Sequence, residues 1–342
     1  MGLDRPLQPL PERARRHEVA ARALHHQHAR RPRAPGPRAQ DGGAHAGPGA
    51  RPAVLGEHRR RPRRRRRQRP AGADAGAGVR LPVATARPAG LTAWIDEQTP
   101  LPPATAALGP GSGAAGLVAA GGGLGPRRLE EAYRGGLFPW YSPGQPVLWW
   151  SPDPRMVLPT AEFRLSRSLA KTIRRFRRTP GCALRVDSAF EQVIAACATQ
   201  PREGQDGTWI VPAMVEAYTA WHRLGRVHSV ETWVDGELAG GLYFVAIGRM
   251  CFGESMFARR TDASKIALAA LVAACRAHGV GLIDCQQNTD HLASFGAREM
   301  PRAEFLARVA QATAAAGAID WTYDDSHWAL LERAPAVPPE AP

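Results

Sequence analysis

The chain has 342 residues and a formal net charge of +14. That excess of positive charge is confined to residues 1–90, which contain 21 Arg, no Lys and 6 acidic residues, whereas residues 91–342 contain 24 basic and 25 acidic residues. A uniformly basic nucleic-acid-binding protein is therefore excluded. No apolar run reaches the roughly 18 residues of a membrane-spanning helix, and the N-terminus lacks the apolar core of a signal peptide, so we expect a cytoplasmic protein without membrane contact.

Residues 1–90, the N-terminal arm, contain no aromatic residue and no Ile but include the block from Arg63 to Arg67. A segment of this composition cannot bury a core, so we predict that it is disordered. One interpretation is an RNA-binding arm. The interpretation we favour is a non-native extension, because a GC-rich coding strand upstream of a true start yields Arg-rich, Lys-poor sequence; a codon near Val79, Val83 or Leu91 would then be the start.

The roughly 245 residues from Trp94 onward are enough for one large domain or two modest ones. Pro at the first position predicts a short helix over residues 126–133, closed by Gly135 and Gly136. The Pro-rich, aromatic stretch 137–155 predicts a rigid connection with many turns. Its Trp and Tyr side chains either belong to the core or form a surface on which a nucleobase stacks.

Residues 166–178 have apolar side chains at helical spacing, and this pattern predicts an amphipathic helix. Its other face is concentrated in positive charge, which indicates either a solvated surface or contact with nucleic-acid phosphates. The basic residues of this face are Arg167, Lys171, Arg174, Arg175 and Arg178.

The second half of the chain predicts an α+β fold, with helices packed against a mostly antiparallel sheet. A strand is expected at 183–186, followed by a helix that Asp187 caps and that runs to about residue 198. A helix at 212–224 leads into an antiparallel meander over 227–257, with a tight turn at Asp235 and Gly236. Further elements are a helix at 263–278, a strand at 281–286, a helix at 302–315 and a disordered Pro-rich tail from residue 334.

Polar groups in two short apolar strands give the strongest indication of a site. Side chains of a strand alternate between its faces, so Asp284 and Gln286 should point the same way, as should Glu254 and Met256. If the two strands pair, these groups line one cleft. Carboxylates in apolar strands are costly to bury without hydrogen bonds, which favours a functional site. The alternative is a structural Asp that holds a neighbouring loop.

Metal and disulfide chemistry are not expected. The cysteines are odd in number without a Cys-x-x-Cys pair, and the histidines lack ligand spacing. The residues concerned are Cys182, Cys197, Cys251, Cys275, Cys285, His222, His228, His278 and His291.

Eight short motifs follow one another along the chain. They are YRGGLFPW (133–140), LWWSPDPR (148–155), GTWI (207–210), HSVE (228–231), GGLY (240–243), GESMF (253–257), ASK (263–265) and IDCQ (283–286). In this order and approximate spacing they resemble, over about residues 92–310, the leucyl/phenylalanyl-tRNA-protein transferase family. So many ordered blocks are far more specific than one short motif.

The resemblance implies a small N-terminal domain (91–156) and a catalytic domain with a GNAT-like acetyltransferase fold (157–333). It also implies an activity: Leu or Phe, and less well Met, moves from Leu-tRNA or Phe-tRNA to the N-terminal Arg or Lys of a protein, which marks that protein for degradation by the N-end rule pathway. An aminoacyl ester is already activated, so no cofactor is required. We expect the protein to act as a monomer.

The resemblance also assigns roles to residues. Asp284 and Gln286 form a catalytic relay in which Asp284 orients the Gln286 amide, and Glu254 is a third catalytic-site group that meets either the acceptor cation or a ribose hydroxyl. Substrate-binding residues are Trp140 and Trp209, which hold the terminal adenosine and the aminoacyl group, together with Met256, Phe252 and Ser255. Its charge, rather than the resemblance, makes the basic helix face our candidate for tRNA binding. Two departures leave one loop's role open: residues 121–126 read GGGLGP where the family usually has GGDLSP, and Gly135 replaces a usual Arg.

Two other functions compete with this interpretation. An acyl-CoA-dependent acetyltransferase of the same fold needs a Gly-rich loop for pyrophosphate, but residues 259–264 lack glycines and carry Asp262 instead. A non-catalytic RNA-binding module would depend on the N-terminal arm, and it leaves Glu254, Asp284 and Gln286 unexplained.

Overall fold

The computed structural model describes residues 93–199 and 210–332. The predictions made for the N-terminal arm, for the Pro-rich tail and for Trp209 lie outside these ranges. Among the described residues, no helix is both long and apolar enough to cross a membrane.

Two β-sheets and their flanking helices make up this part of the chain. The strands are β1 (Trp94–Ile95), β2 (Leu117–Gly121), β3 (Phe138–Pro139), β4 (Leu148–Trp150), β5 (Arg155–Pro159), β6 (Cys182–Val186), β7 (Val227–Val234), β8 (Glu237–Ile247), β9 (Met250–Ala258), β10 (Leu282–Gln286) and β11 (Arg298–Met300). The α-helices are α1 (Pro126–Arg134), α2 (Arg167–Arg178), α3 (Phe190–Thr199), α4 (Pro212–His222), α5 (Ala263–Ala277), α6 (Asp290–Ser294), α7 (Arg302–Ala314) and α8 (Ala329–Glu332).

The smaller sheet has the strand order β1-β2-β4-β3 and contains most of the aromatic stretch. Trp149 and Trp150 are buried, and their indole nitrogens donate hydrogen bonds to the carbonyls of Gly121 (3.0 Å) and Trp140 (2.7 Å). These two rings therefore belong to the core. The Trp140 ring is only partly buried, so it alone of the three Trp remains available to a ligand.

The larger sheet has the order β11-β5-β10-β9-β8-β7-β6, and every neighbouring pair is antiparallel except β9 and β10. The predicted meander is confirmed as β7, β8 and β9. Asp235 and Gly236 both have positive φ, 54° and 79°, as the tight turn between β7 and β8 requires. The α+β class is confirmed as well.

Side chains of the sheet alternate between two cores. Tyr243 and Val245 of β8 pack with α1, α3, α4 and α7, whereas Leu242 and Phe244 pack with α2 and α5 on the opposite side. Helices therefore cover both faces of the larger sheet. The predicted amphipathic helix α2 is confirmed, and its N-cap Ser166 accepts a hydrogen bond from the Leu169 amide at 3.2 Å.

The stretch at 137–155 is more regular than predicted, and the strand that follows it was missed. β5 pairs with β10, placing Val157 opposite Asp284. The local sequence gives no signal for this pairing, because β5 is short and its hydrogen-bonding partners lie more than a hundred residues away. Its position matters, since it brings Arg155 to the strand that carries Asp284.

The prediction that Asp187 caps the helix after β6 is wrong. Asp187 has a φ of 55°, and its carboxylate accepts hydrogen bonds from the Ser229 amide (2.8 Å) and from His228 Nδ1 (2.7 Å). At the start of α3, the amide of Ala189 instead donates to the buried Glu231 carboxylate at 2.8 Å. The acceptor comes from neighbouring strand β7, so it cannot be read from the residues just before the helix.

Candidate active site

A cavity of about 700 Å³ lies beside the parallel strands β9 and β10, where the sequence predicted a cleft. Its polar lining includes Glu254 and Ser255 from β9 and Gln286 from β10, and Trp140 lies on the rim formed by the smaller sheet. The apolar part of the lining comprises Leu242, Met256, Leu268, Leu271, Ile283 and Leu292. Small-molecule sites commonly combine an apolar wall with a few placed polar groups.

Asp284 lies behind this cavity rather than in its lining. Its side chain is fully buried and forms a two-bond ion pair with Arg155, in which Nε donates to Oδ1 at 2.8 Å and Nη2 to Oδ2 at 2.7 Å. A carboxylate held in this way is compensated in charge and occupied at both oxygens. Asp284 therefore holds Arg155 and Gln286 from a buried position that a ligand in the cavity does not contact.

Arg155 is as deeply buried as its partner. Its guanidinium lies between two aromatic rings, 4.8 Å from the centre of Phe138 and 4.6 Å from that of Phe305. These rings come from β3 and α7, so the ion pair joins the smaller sheet, the larger sheet and a helix. Cation–π contacts of this kind gain strength when the cation is out of water.

Gln286 is held at the edge of the cavity by the same carboxylate. Its backbone amide donates to Asp284 Oδ1 at 3.0 Å, and its side-chain Nε2 lies 3.5 Å from Oδ2. Its φ of 56° is unusual for a residue other than Gly, and the register of β10 shifts between Asp284 and Gln286. Simple alternation along the strand is therefore broken, and this is why only Gln286 reaches the cavity. Such strain clusters at functional sites.

Glu254 is hydrogen-bonded to two buried tyrosines. Tyr133 of α1 donates to Oε1 at 2.6 Å, and Tyr218 of α4 donates to Oε2 at 3.4 Å, while the two phenol oxygens are 2.5 Å apart. Burial raises the pKa of Glu254 to about 8 from its ordinary 4.5, and the hydrogen bond from Tyr133 offsets part of that rise. Burial also raises the pKa of both tyrosines well above 10.0. Near neutral pH the Glu254 carboxyl group is therefore mostly protonated, and its ionised fraction grows as the pH approaches 8.

The raised pKa of Glu254 predicts how stability depends on pH. Between about pH 4.5 and 8 the unfolded chain has lost this proton and the folded chain has kept it, so the free energy of unfolding falls as pH rises through this window. Glu254→Gln should flatten the decline by up to about 1.4 kcal/mol per pH unit. Urea unfolding at several pH values measures how the free energy of unfolding depends on pH. Glu191→Gln, at an exposed residue, is the control. Parallel curves for wild type and Glu254→Gln would contradict the raised pKa.

The remaining predicted residues divide into three groups. Trp140, Ser255 and Met256 line the cavity with Glu254 and Gln286. Phe252 does not: it is buried on β9, and its ring packs edge-on against Tyr133 at 5.0 Å. The basic face of α2 is exposed and, within the described ranges, has no ion pair at its five predicted positions, Arg167, Lys171, Arg174, Arg175 and Arg178. Among the described residues, no cluster of His, Cys, Asp and Glu could hold a metal.

Three residues that hold the site together, Tyr133, Arg155 and Tyr218, were not identified from the sequence. Tyr133 opens the first motif and Arg155 ends the second, so their positions in the motifs were a usable signal. Tyr218 lies in a correctly predicted helix, but nothing distinguished it from a core aromatic residue. All three are buried and act on the cavity through Glu254 or Asp284.

Comparison with known proteins identifies the family of the chain. A family model described as Leucyl/phenylalanyl-tRNA protein transferase matches residues 157–310, and one described as the N-terminal domain of that transferase matches residues 122–153.

Three similar proteins, each named leucyl/phenylalanyl-tRNA–protein transferase, come from Methylibium petroleiphilum, Leptothrix cholodnii and Cupriavidus taiwanensis. The first is 65% identical over 232 residues, covering 68% of this chain and 88% of the relative. The second is 62% identical over 243 residues, which cover 71% of this chain and 95% of the relative. The third is 59% identical over 250 residues, which cover 72% of this chain and 100% of the relative. With this identity over nearly the whole of each relative, the chain belongs to the leucyl/phenylalanyl-tRNA protein transferase family of aminoacyltransferases.

Proposed function

We propose that the protein transfers Leu or Phe, and less well Met, from charged tRNA to the N-terminal Arg or Lys of acceptor proteins. The transfer takes place in the cytoplasm and marks the acceptor for degradation by the N-end rule pathway. The observation that carries this proposal is a cavity of about 700 Å³ whose lining combines apolar side chains with Gln286 and Glu254. Such a lining accepts Leu, Phe and Met side chains, which it discriminates only weakly.

The chemistry required is aminolysis of an ester that is already activated. In the proposed mechanism Asp284 holds the Gln286 amide nitrogen, so that Oε1 faces the cavity and accepts a hydrogen bond from the attacking amine. An amide oxygen is a poor base, and its contribution is therefore orientation. Trp140 and Trp209 hold the donor adenosine and aminoacyl group, Met256 and Ser255 line the pocket, and the buried Phe252 supports β9 from behind.

The domain organisation belongs to the same proposal. Residues 91–156 form the small N-terminal domain, and residues 157–333 form the catalytic domain with a GNAT-like fold. The mixed sheet with helices on both faces supports this assignment. The protein is proposed to act as a monomer.

Transfer to a defined acceptor tests the proposed function. Purified protein is incubated with Leu-tRNA and a peptide that begins with Arg, and the product mass is measured. The matched control is the same peptide with an acetylated N-terminus, which has no amine to attack. Product from the free peptide alone is expected. If acetyl-CoA supports modification of the peptide and Leu-tRNA does not, the acetyltransferase alternative is correct.

The exposed basic face of α2 is proposed to bind tRNA phosphates. Neutralising Arg174 and Arg175 together should weaken tRNA binding whichever amino acid is attached, and should reduce the slope of log affinity against log salt by about 1 for each lost contact. Arg177→Gln on the same helix is the matched control, because Arg177 is paired with Asp325 at 2.5 Å. Affinity measurements over a salt series that show no change for the double variant would assign these residues to a solvated surface.

A further inference from the structure

The proposed reaction requires a group that accepts a proton. The acceptor amine of a peptide is mostly an ammonium ion at neutral pH, since its ordinary pKa is about 7.7–8.0. It must lose one proton before nitrogen attacks and a second as the amide forms. The leaving ribose oxygen must gain one. Asp284 and Gln286, which are proposed to orient the reactants, do not supply this proton acceptor.

Asp284 is unsuitable because it is fully buried, does not line the cavity and is neutralised by its ion pair with Arg155. Among the described residues that line the cavity, Glu254 is the only one with a carboxyl group. Its two oxygens face Tyr133 and Tyr218, which are fully buried and come from two different helices. A carboxyl group fixed from behind by two rigid donors and open to the cavity in front has the geometry of a proton carrier.

We propose that Glu254 takes the proton of the acceptor's α-ammonium group and returns a proton to the leaving ribose oxygen, while Tyr133 and Tyr218 act as positioning residues that hold its carboxyl group. This inference rests on the proposed function. In this inference Glu254 transfers protons and does not serve to bind the side-chain cation of the acceptor.

The proton balance of the step is complete without a further reactant. Because its pKa is about 8, a fraction of Glu254 is a carboxylate near neutral pH, and this form takes one proton from the ammonium. The neutral nitrogen then forms a bond with the ester carbonyl carbon. As the bond between that carbon and the ribose oxygen breaks, Glu254 donates its proton to this oxygen and receives the second proton of the nitrogen. The products are the amide and the ribose hydroxyl. Glu254 then releases one proton to solvent for each turnover.

The electrostatic surroundings agree with this role. The pKa of Glu254, raised by burial to about 8, is close to that of a peptide amine, and matched values favour proton transfer. The titratable and charged groups that surround Glu254 or share its cavity come from α1, α4, β5, β8, β10 and α6. They are Tyr133, Tyr218, Arg155, Tyr243, Asp284, Cys285 and His291.

The decisive variant is Glu254→Gln, which keeps the shape and can still accept from Tyr133. Single-turnover transfer of Leu should fall about a hundredfold or more with unchanged affinity for Leu-tRNA. Two acceptor peptides that begin with Arg or with its neutral analogue citrulline are compared. An equal loss for both supports proton transfer. A loss confined to the Arg peptide, or a rate within threefold of wild type, overturns the inference.

The positioning residues are tested by the pH profile of the single-turnover rate. Tyr133→Phe removes a hydrogen bond that lowers the pKa of Glu254, so the inflection of the profile should move to higher pH. Tyr218→Phe should move it less, because its bond to Glu254 is longer, and the remote Tyr323→Phe should not move it. An equal loss of single-turnover rate at every pH would indicate a structural role and would overturn the positioning role of Tyr133 and Tyr218. If wild type transfers Leu normally while these tests fail, only the inference is wrong; if wild type transfers nothing, the proposed function itself is wrong.

Discussion

Arg155→Met is expected to lower the free energy of unfolding by about 3–5 kcal/mol. The substitution leaves Asp284 fully buried without its cation, and it also removes the charge that lies between Phe138 and Phe305. The cost of an unpaired buried carboxylate far exceeds that of the lost methylene contacts, because Met replaces most of the volume. Urea unfolding followed by circular dichroism measures the difference.

The matched control is Arg223→Met. Arg223 also pairs with a carboxylate at 2.8 Å, that of Glu191, but both side chains are 69% exposed. Water compensates the charge left behind there, so the change should stay within about 0.5 kcal/mol of wild type. Equal effects of the two substitutions would show that burial does not govern the Arg155–Asp284 pair. Replacing Arg155 and Asp284 together by apolar residues should recover part of the loss, since neither charge is then orphaned.

Gln286→Ala is expected to reduce single-turnover transfer of Leu at least about tenfold while the affinity for aminoacyl-tRNA is largely kept. The substitution removes the amide that Asp284 holds at the cavity, but it leaves the Arg155–Asp284 ion pair intact. The protein should therefore remain folded, and the loss should appear in the chemical step. Rapid-quench kinetics and a separate tRNA-binding assay distinguish these two quantities.

Gln287→Ala provides the control for this site. Gln287 follows directly in the chain and also lines the cavity, but the side chain is exposed and no hydrogen bond holds it among the described residues. It should change the rate by less than about threefold. Asp284→Asn combined with Gln286→Ala should be little slower than Gln286→Ala, because Asp284 acts through Gln286. Additive losses in rate, measured where all variants are folded, would contradict that coupling.

Much of the fold could be predicted because its signals are local. The meander from β7 to β9 follows from alternation and from an Asp-Gly turn, and α2 follows from apolar spacing after Ser166. The pairing of the Glu254 strand with the Asp284 strand was only a condition of the predicted cleft, and the structure shows that these two strands do pair. The ordered motifs predicted the family, and the comparisons confirm it.

The sequence by itself determined the residue types of the site and the strands that carry them. Only the tertiary structure decided what each group can do. Asp284 and Gln286 were expected side by side in one cleft, yet β5 supplies Arg155 from 129 positions away, and the resulting ion pair removes Asp284 from the cavity. Likewise Tyr133 and Tyr218 reach Glu254 from helices far away in sequence and hydrogen-bond its carboxyl group. Charge compensation and burial depend on which distant segments pack together, and no local pattern of side chains encodes that packing.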